Sequence, residues 1–471
     1  MKFRVFFTVL FFTFTAASSF AEEITLDSFL DLVKANHPFF KKEDIALDIE
    51  KKQAQSYPGA QDWGLSVSPS FTRLGEASSN YETSGQSERI YLFGTEAALS
   101  RQIWNTGGTL GFSISTDYKN SEYKSTVTKA FKHGVGISYT QPLLQNYKGT
   151  LDRLSYELSD YTIEFTEVKA RENKEDFLLG VASRYLDWVG LTEVIGIAKG
   201  RLSLANEQLE QVVKRFNANL VDRVDVLRAE DAVRIAEQTI LQLESRWKAT
   251  QAELAVTAGS ETLYNKSPSY DIYALEDLPV PDEASGILEK RSRILKTFDI
   301  LKSQLDRQRV GLLEQIRPQL NLSVAGGVYG SDEGFVNSLA IYKPDTTVSL
   351  VFLKYFGNST LNKQVEKLDL QVKQIDLDKA NVLVSLEANM RSLLIQLTEI
   401  EKVLVLNRDQ IMSAGEKTDE ELKMYNQGRG QLTFVIQSRD NEENAKLTYA
   451  DNAALYHMLL LQYRALLDEL F

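Results

Sequence analysis

Hydrophobic positions along the chain follow two rhythms. The first has period two. Leu65, Val67 and Phe71 alternate with Ser66, Ser68 and Ser70, Leu110, Phe112 and Ile114 with Gly111, Ser113 and Ser115, and Val135, Ile137 and Tyr139 with Gly136, Ser138 and Thr140. Leu320, Leu322 and Val324 oppose Asn321 and Ser323. Val348, Leu350 and Phe352 oppose Thr347 and Ser349, with Val351 breaking the polar side. Together with a weaker stretch at 89–103, this predicts six strands, at about 65–73, 89–103, 108–118, 134–142, 318–328 and 346–354. One apolar face and one face of small polar residues is what a barrel with lipid outside and water inside requires. A soluble β-sandwich shows the same alternation, so the strands alone leave both open.

The second rhythm has period 3.5. Leu191, Ile195, Ala198, Leu202, Ala205, Leu209, Val212 and Phe216 recur at alternating spacings of four and three. So do Val226, Ala229, Val233, Ala236, Ile240, Leu243 and Trp247, and, near the end, Tyr449, Ala453, Tyr456, Leu460, Tyr463, Leu467 and Leu470. Such a repeat means helices packed side by side in coiled-coil fashion. The pattern from about 150 to 217 spans ~100 Å as one helix, too long for a compact domain. A plain coiled-coil rod would not be flanked by barrel strands, so the helices favour the barrel reading. The opening of this stretch, Gly134 to Leu158, runs from strand into helix almost without a turn.

The chain also repeats itself. Thr150-Leu151-Asp152-Arg153 matches Thr360-Leu361-Asn362-Lys363, Lys214-Arg215-Phe216-Asn217 matches Lys423-Met424-Tyr425-Asn426, and Val226-Leu227 matches Val435-Ile436. All three agree on an offset of about 210 residues. The expected organisation is a first repeat at 22–283 (a helix, strands at about 64–144, a helical hairpin at about 148–258 and a linker at 260–285) and a second at 284–471 (a helix, strands at about 318–354 and a hairpin at about 357–470).

Composition narrows the class. Residues 1–21 have a basic start at Lys2 and Arg4, an apolar run, and Ser19-Phe20-Ala21 as a small-x-small cleavage site, which reads as a secretory signal peptide. Removing it takes the formal charge from −12 to −14. An acidic chain with both signs mixed along it does not point to nucleic acid. There is no cysteine, so the fold holds without disulfides and carries no lipid on an N-terminal cysteine. No later apolar run reaches the ~18 residues of a transmembrane helix, so any crossing must use strands.

Catalytic chemistry is not indicated, and no cofactor or metal is implied. His37, His133 and His457 are far apart, and without cysteine there is no thiol nucleophile or zinc cluster. Asn105-Thr106-Gly107-Gly108 has the look of a phosphate loop, but no helix bearing Lys-Ser/Thr follows, and a β-turn accounts for it.

The sequence resembles the TolC family of outer-membrane efflux and secretion channels. The resemblance is carried by Ile24-Thr25-Leu26-Asp27-Ser28-Phe29-Leu30 followed by Asn36-His37-Pro38, by Gln141-Pro142-Leu143-Leu144 at the strand-to-helix change, by Phe216 to Leu227 at the first hairpin tip, and by the duplication. It covers essentially the whole chain after the leader. It implies an α+β membrane protein: a homotrimer sharing one outer-membrane β-barrel, continued by a long periplasmic α-helical barrel. It also implies a passive export duct, fed by an inner-membrane pump or ABC transporter through a periplasmic adaptor that docks at the tips. A structural or adhesive coiled-coil surface protein is the competing reading.

Under this resemblance Asp222, Asp225, Tyr425, Arg429 and Phe434 are gate candidates, and Asn219, Leu220, Val221, Gly428 and Gly430 are adaptor-docking candidates. The bland reading of the charges is solvated turn residues, and of the glycines, turn formers. Two departures stand out. Phe434 and Gln437 occupy places where the family's second tip carries acids, and the first β-region is too long for the family's usual two strands. Six strands per chain would give eighteen in a trimer, with long polar loops at 74–88 and 119–133 outside and a tight turn at 105–108 inside.

Overall fold

The computed structural model describes residues 22–75, 87–123, 126–276 and 281–470. The leader at 1–21, most of the 74–88 loop and Phe471 therefore lie outside the described residues. In chain order the elements are β1 (Glu22–Thr25), α1 (Leu26–Asn36), α2 (Pro38–Ser56), β2 (Gly64–Leu74), β3 (Ser87–Ile103), β4 (Gly108–Tyr123), β5 (Val127–Pro142), α3 (Leu154–Asn217), α4 (Arg223–Ala258), β6 (Lys266–Ser269), α5 (Pro281–Arg291), α6 (Arg293–Ile316), β7 (Gln319–Asp332), α7 (Phe335–Ser338), β8 (Lys343–Leu353), α8 (Ser359–Asn426) and α9 (Leu432–Leu466). No described helix is long and apolar enough to cross a membrane.

The chain forms two compact units, each drawing on both halves of the sequence. The first holds the described residues through Glu43, Arg171–Ser292 and those from Val384 onward; the second holds Asp44–Ala170 and Arg293–Leu383. The helices α2, α3 and α8 contribute to both.

The second unit contains one antiparallel six-stranded sheet in the order β2-β3-β4-β5-β7-β8. All six predicted strands are present, and β3 and β4 are full members, paired from Arg89↔Glu122 to Ile103↔Gly108. The expected long loop at 119–133 is absent. β4 runs to Tyr123 and β5 starts at Val127, still paired at Glu122↔Val127. The polar run Lys119 to Glu122 hid this extension, because with polar residues on both faces a strand loses its alternation.

The turn at 104–107 is the predicted one. Gly107 takes φ +73° and its N–H donates to the Ile103 carbonyl at 2.8 Å. It is locked onto the strand-to-helix change: Gln141 Nε2 donates to the Thr106 carbonyl at 2.7 Å and Tyr139 Oη to Thr106 Oγ1 at 2.8 Å. A Cβ on Gly149 would lie 2.0 Å from the Trp104 carbonyl oxygen, so only glycine fits there. Asn146, at φ +61°, accepts from the Leu151 N–H and turns the chain into α3. This is how a strand passes so abruptly into a long helix.

In the first unit, β1 pairs in parallel with β6, from Glu22↔Lys266 to Thr25↔Ser269. The linker at 260–285 is thus partly an ordered element. Tyr185, fully buried, donates to the Ile24 carbonyl at 2.6 Å and accepts from the Ser269 N–H at 3.1 Å, tying both strands to α3. His457, also buried, contacts the Ile272 carbonyl through Nε2 and the Tyr270 hydroxyl through Nδ1. Burial pushes its pKa below the usual value.

Candidate functional sites in the sheet and at the hairpin tips

Strand register sorts the sheet into two chemically opposite faces. On one, Leu65, Leu99, Phe112 and Ile137 lie directly across from one another, as do Val67, Ala97, Ile114, Val135 and Val328. These side chains face outward: Leu65 is 71% exposed, Ile114 61% and Leu350 62%. An apolar band of this breadth is not left in water. It ends in an aromatic row across four strands, Phe71, Phe93, Tyr118 and Phe131, with successive ring centroids 4.7, 6.0 and 4.7 Å apart. Phe335 of α7 continues the row, 5.5 Å from Phe131. Trp63 and Tyr147, both exposed, lie near the other strand ends. Aromatic residues bordering an apolar band mark membrane–water interfaces. Their alignment depends on register, which is why the sequence alone does not show it.

The opposite face is lined by small residues. One row reads Gly64, Ser100, Gly111, Ser138, Ala325, Thr347. The next reads Ser66, Ala98, Ser113, Gly136, Gly327, Asp345, and a third Gln102, Thr109, Thr140, Ser323, Ser349. Charged residues of both signs, Glu96, Asp117, Lys132 and Lys343, appear toward the loop end.

At the other candidate site the tips of the two hairpins pack together in the first unit. Val212, Val226, Ala229, Tyr425, Leu432 and Val435 form one buried cluster, with Phe216, Val221 and Ile436 against it. The two tips make the same turn at an offset of 209. Asn219 and Gly428 both take the left-handed conformation, φ +55° and +72°. The next N–H in each, Leu220 and Arg429, donates back to Arg215 and Met424, both at 2.9 Å. This reverse turn satisfies the carbonyls a helix end leaves open. Gly430 is needed for another reason, since a Cβ there would lie 2.8 Å from the Tyr425 backbone N.

Each sequence-derived candidate now has a place. Leu220 is 68% exposed and Phe434 49%. Asp222 caps α4 with its backbone and has no side-chain cap hydrogen bond. Asp225 pairs with Arg228 at 3.2 Å, and Arg429 donates to Gln427. Tyr425 is 5% exposed, inside the cluster. The Arg215 guanidinium stacks 4.2 Å over its ring and donates to its carbonyl at 3.1 Å. The buried Tyr425 hydroxyl has no hydrogen-bond partner among the described residues, and burial raises its pKa against the pull of Arg215. Within one chain no hydrogen bond or ion pair joins Asp222 or Asp225 to Tyr425 or Arg429 among the described residues, although the Asp225 charge lies near enough to add to the rise in the Tyr425 pKa.

Sequence reasoning missed a polar brace behind the tips. Arg201 is nearly buried and pairs with Asp440 and with Glu443, the latter at 3.0 Å. Arg439 donates to the Leu204 carbonyl at 2.8 Å and to Gln208 Oε1 at 2.9 Å. Burial lowers the Arg439 pKa, and neighbouring Arg201 adds to that. The three-four spacing draws attention to apolar positions and passes over charged ones lying between hairpins.

No family model matches the sequence, and no curated protein matches it. Solved structures do. The outer membrane protein VceC of Vibrio cholerae aligns over 94% of this chain and 95% of its own, with a TM-score of 0.64 at 12% identity. The CmeC outer membrane channel of Campylobacter jejuni aligns over 95% and 86%, with a TM-score of 0.64 at 14% identity. The open state of the MtrE outer membrane channel of Neisseria gonorrhoeae aligns over 94% and 89%, with a TM-score of 0.59 at 14% identity. This chain has the fold of these outer-membrane channel proteins, and the TolC resemblance holds at the level of fold.

Proposed function

We propose that this chain is one protomer of a homotrimeric outer-membrane channel. In this reading it is the passive export duct of a tripartite efflux pump or type I secretion system, and an inner-membrane transporter and a periplasmic adaptor deliver its cargo. The observation that carries the reading is the six-stranded sheet with one face apolar and exposed and the other small and polar. That face has no use on an adhesive rod, and a span with open edges is not stable in lipid, so the sheet must close with copies of itself. The first repeat at 22–283 and the second at 284–471 each supply one hairpin to the tube, and the shared turn at Asn219 and Gly428 supports that duplication. The tips form the gate. Tyr425, buried in its own chain's cluster, holds the tip from within; Asp222 and Asp225 meet Arg429 of a neighbouring chain with Phe434 beside them, while Asn219, Leu220, Val221 and the glycine turn offer the docking surface. The test is conductance of purified protein in a planar bilayer: stepwise currents from a three-chain assembly are expected, and a conducting monomer would sink the proposal.

A further inference from the structure

We propose that the membrane part of this duct is an eighteen-stranded barrel forming a wide vestibule, lined beyond its charged loop end by small uncharged residues and open from the loop side to hydrophilic polymers that a twelve-stranded barrel would exclude. The proposal rests on the trimeric channel reading and adds the bore and solute class of its outer part.

Two independent observations carry it. The first is strand count. β3 and β4 are not an appended hairpin. The row from Ser66 through Ala98, Ser113 and Gly136 to Gly327 crosses β2, β3, β4, β5 and β7 without a break, and the β3–β4 register is continuous from Arg89 to Ile103, shifting only between Ser87 and Arg89 at the loop end. Three copies of a six-stranded sheet give eighteen strands, and barrel diameter grows roughly linearly with strand number. With strands ~4.8 Å apart and tilted by about 40°, eighteen of them enclose a backbone diameter of roughly 36 Å, against about 24 Å for twelve.

The second is the wall. Sixteen of the seventeen positions in the three rows described above are uncharged, and apart from Gln102 those sixteen are Gly, Ala, Ser or Thr. Asp345 is the one charge. Side chains of this size reach only about 3 Å inward, so the free bore along these rows stays near 30 Å across. A long Lys or Arg at each position would narrow it and set up a single-sign field that sorts ions. Neither device is present in these rows. Larger side chains of this face, Leu92 and Tyr329 among them, and the charges Glu96, Asp117, Lys132 and Lys343 lie toward the loop end, beyond the three rows.

The experiment has two arms. In bilayers, polyethylene glycol of about 12 Å hydrodynamic radius, added on the loop side, is expected to enter and lower the current. If a conducting trimer excludes it, the wide vestibule is overturned while the duct stands. If no current appears at all, the duct reading fails, and the second arm still decides the barrel. In liposomes, Ser113→Cys and Ser100→Cys are expected to react with a membrane-impermeant maleimide. Phe112→Cys and Leu99→Cys, one residue away on the other face, are expected to react only with a lipid-soluble one. Equal labelling of the two sets would show that β3 and β4 are not part of the wall and would overturn the proposal.

Discussion

The two hairpin tips share a backbone and differ in nearly everything they show to solvent. Their turns superimpose in hydrogen bonding, with Asn219 in the place of Gly428 and Phe216 in that of Tyr425. Val226 and Val435 are both buried in the joint cluster. At the same offset, however, Asp225 answers to Phe434, Arg228 to Gln437, Leu220 to Arg429 and Arg223 to Leu432. The Asp225–Arg228 ion pair of the first tip thus has no counterpart in the second, which presents an exposed aromatic ring instead. Packing and backbone hydrogen bonding tolerate little change, since a lost methylene or an unmet carbonyl costs stability directly. Exposed positions are free of that constraint. A ring of such tips would alternate two kinds of surface, charged and aromatic, around one common frame.

The comparison can be broken at its deepest point first. Leu432 is buried and its counterpart Arg223 is exposed, so Leu432→Ala is expected to destabilise the tip by ~2–5 kcal/mol, whereas Arg223→Ala stays within about 0.5 kcal/mol. Hydrogen exchange of the tip amides measures both, and equal losses would mean that the two turns are not supported by one cluster. The proposed latch comes next. Asp225→Ala with Arg429→Ala is expected to raise resting conductance without lowering trimer yield. Three exposed pairs supply roughly 1–3 kcal/mol if their contributions add. High salt should open the wild-type channel in the same direction. A double mutant that conducts like wild type at low and high salt would shift closure to Leu220, Leu432 and Phe434. Third, Gly428→Ala is expected to cost ~1–2 kcal/mol, because a side chain with a Cβ is disfavoured at positive φ. Gly428→Asn is expected to cost less, since Asn219 already holds that conformation in the first tip. Thermal melting of the two variants ranks them, and the reverse order would contradict the shared turn. Smallest is the ion pair: Arg228→Ala is expected to lose only ~0.2–0.5 kcal/mol, and Gln437→Ala nothing measurable at its equivalent place.

How far the sequence could be read follows from what each signal depends on. Strands and long helices were legible because their periods are local; each predicted strand segment falls on a strand, but β4 runs on to Tyr123 and β5 starts at Val127, across the segment read as a loop. The aromatic row was not, since Phe71, Phe93, Tyr118 and Phe131 align only once register is known. The pairing of Glu22–Thr25 with Lys266–Ser269 was hidden for another reason: four residues give no period, and Pro268 argues against a strand. At the tips the helix ends were legible, but Tyr425, named from the sequence as a gate candidate, lies in the buried cluster under the Arg215 guanidinium. Its burial comes from two segments meeting, which a one-dimensional pattern does not encode. The same holds for Arg201 and Arg439.

Pro69 and Pro344 sit in β2 and β8, the two strands at the sheet's edges. A proline cannot donate to a ladder, so neither edge can template an uninterrupted partner along its whole length. The feature bears on biogenesis. In the trimeric reading proposed above, a newly made chain carries an apolar face and two open borders until it meets its fellows, which is the hazardous moment for such a sheet. The interrupted borders disfavour runaway ribbons of stacked copies, while the proline-free stretches beside them, Gly64–Ser68 and Asp345–Leu353, remain available for the one closure that ends in a ring. In that reading, assembly and membrane insertion have to be concerted, because two chains still leave the apolar face and an open border exposed, and only the third removes both.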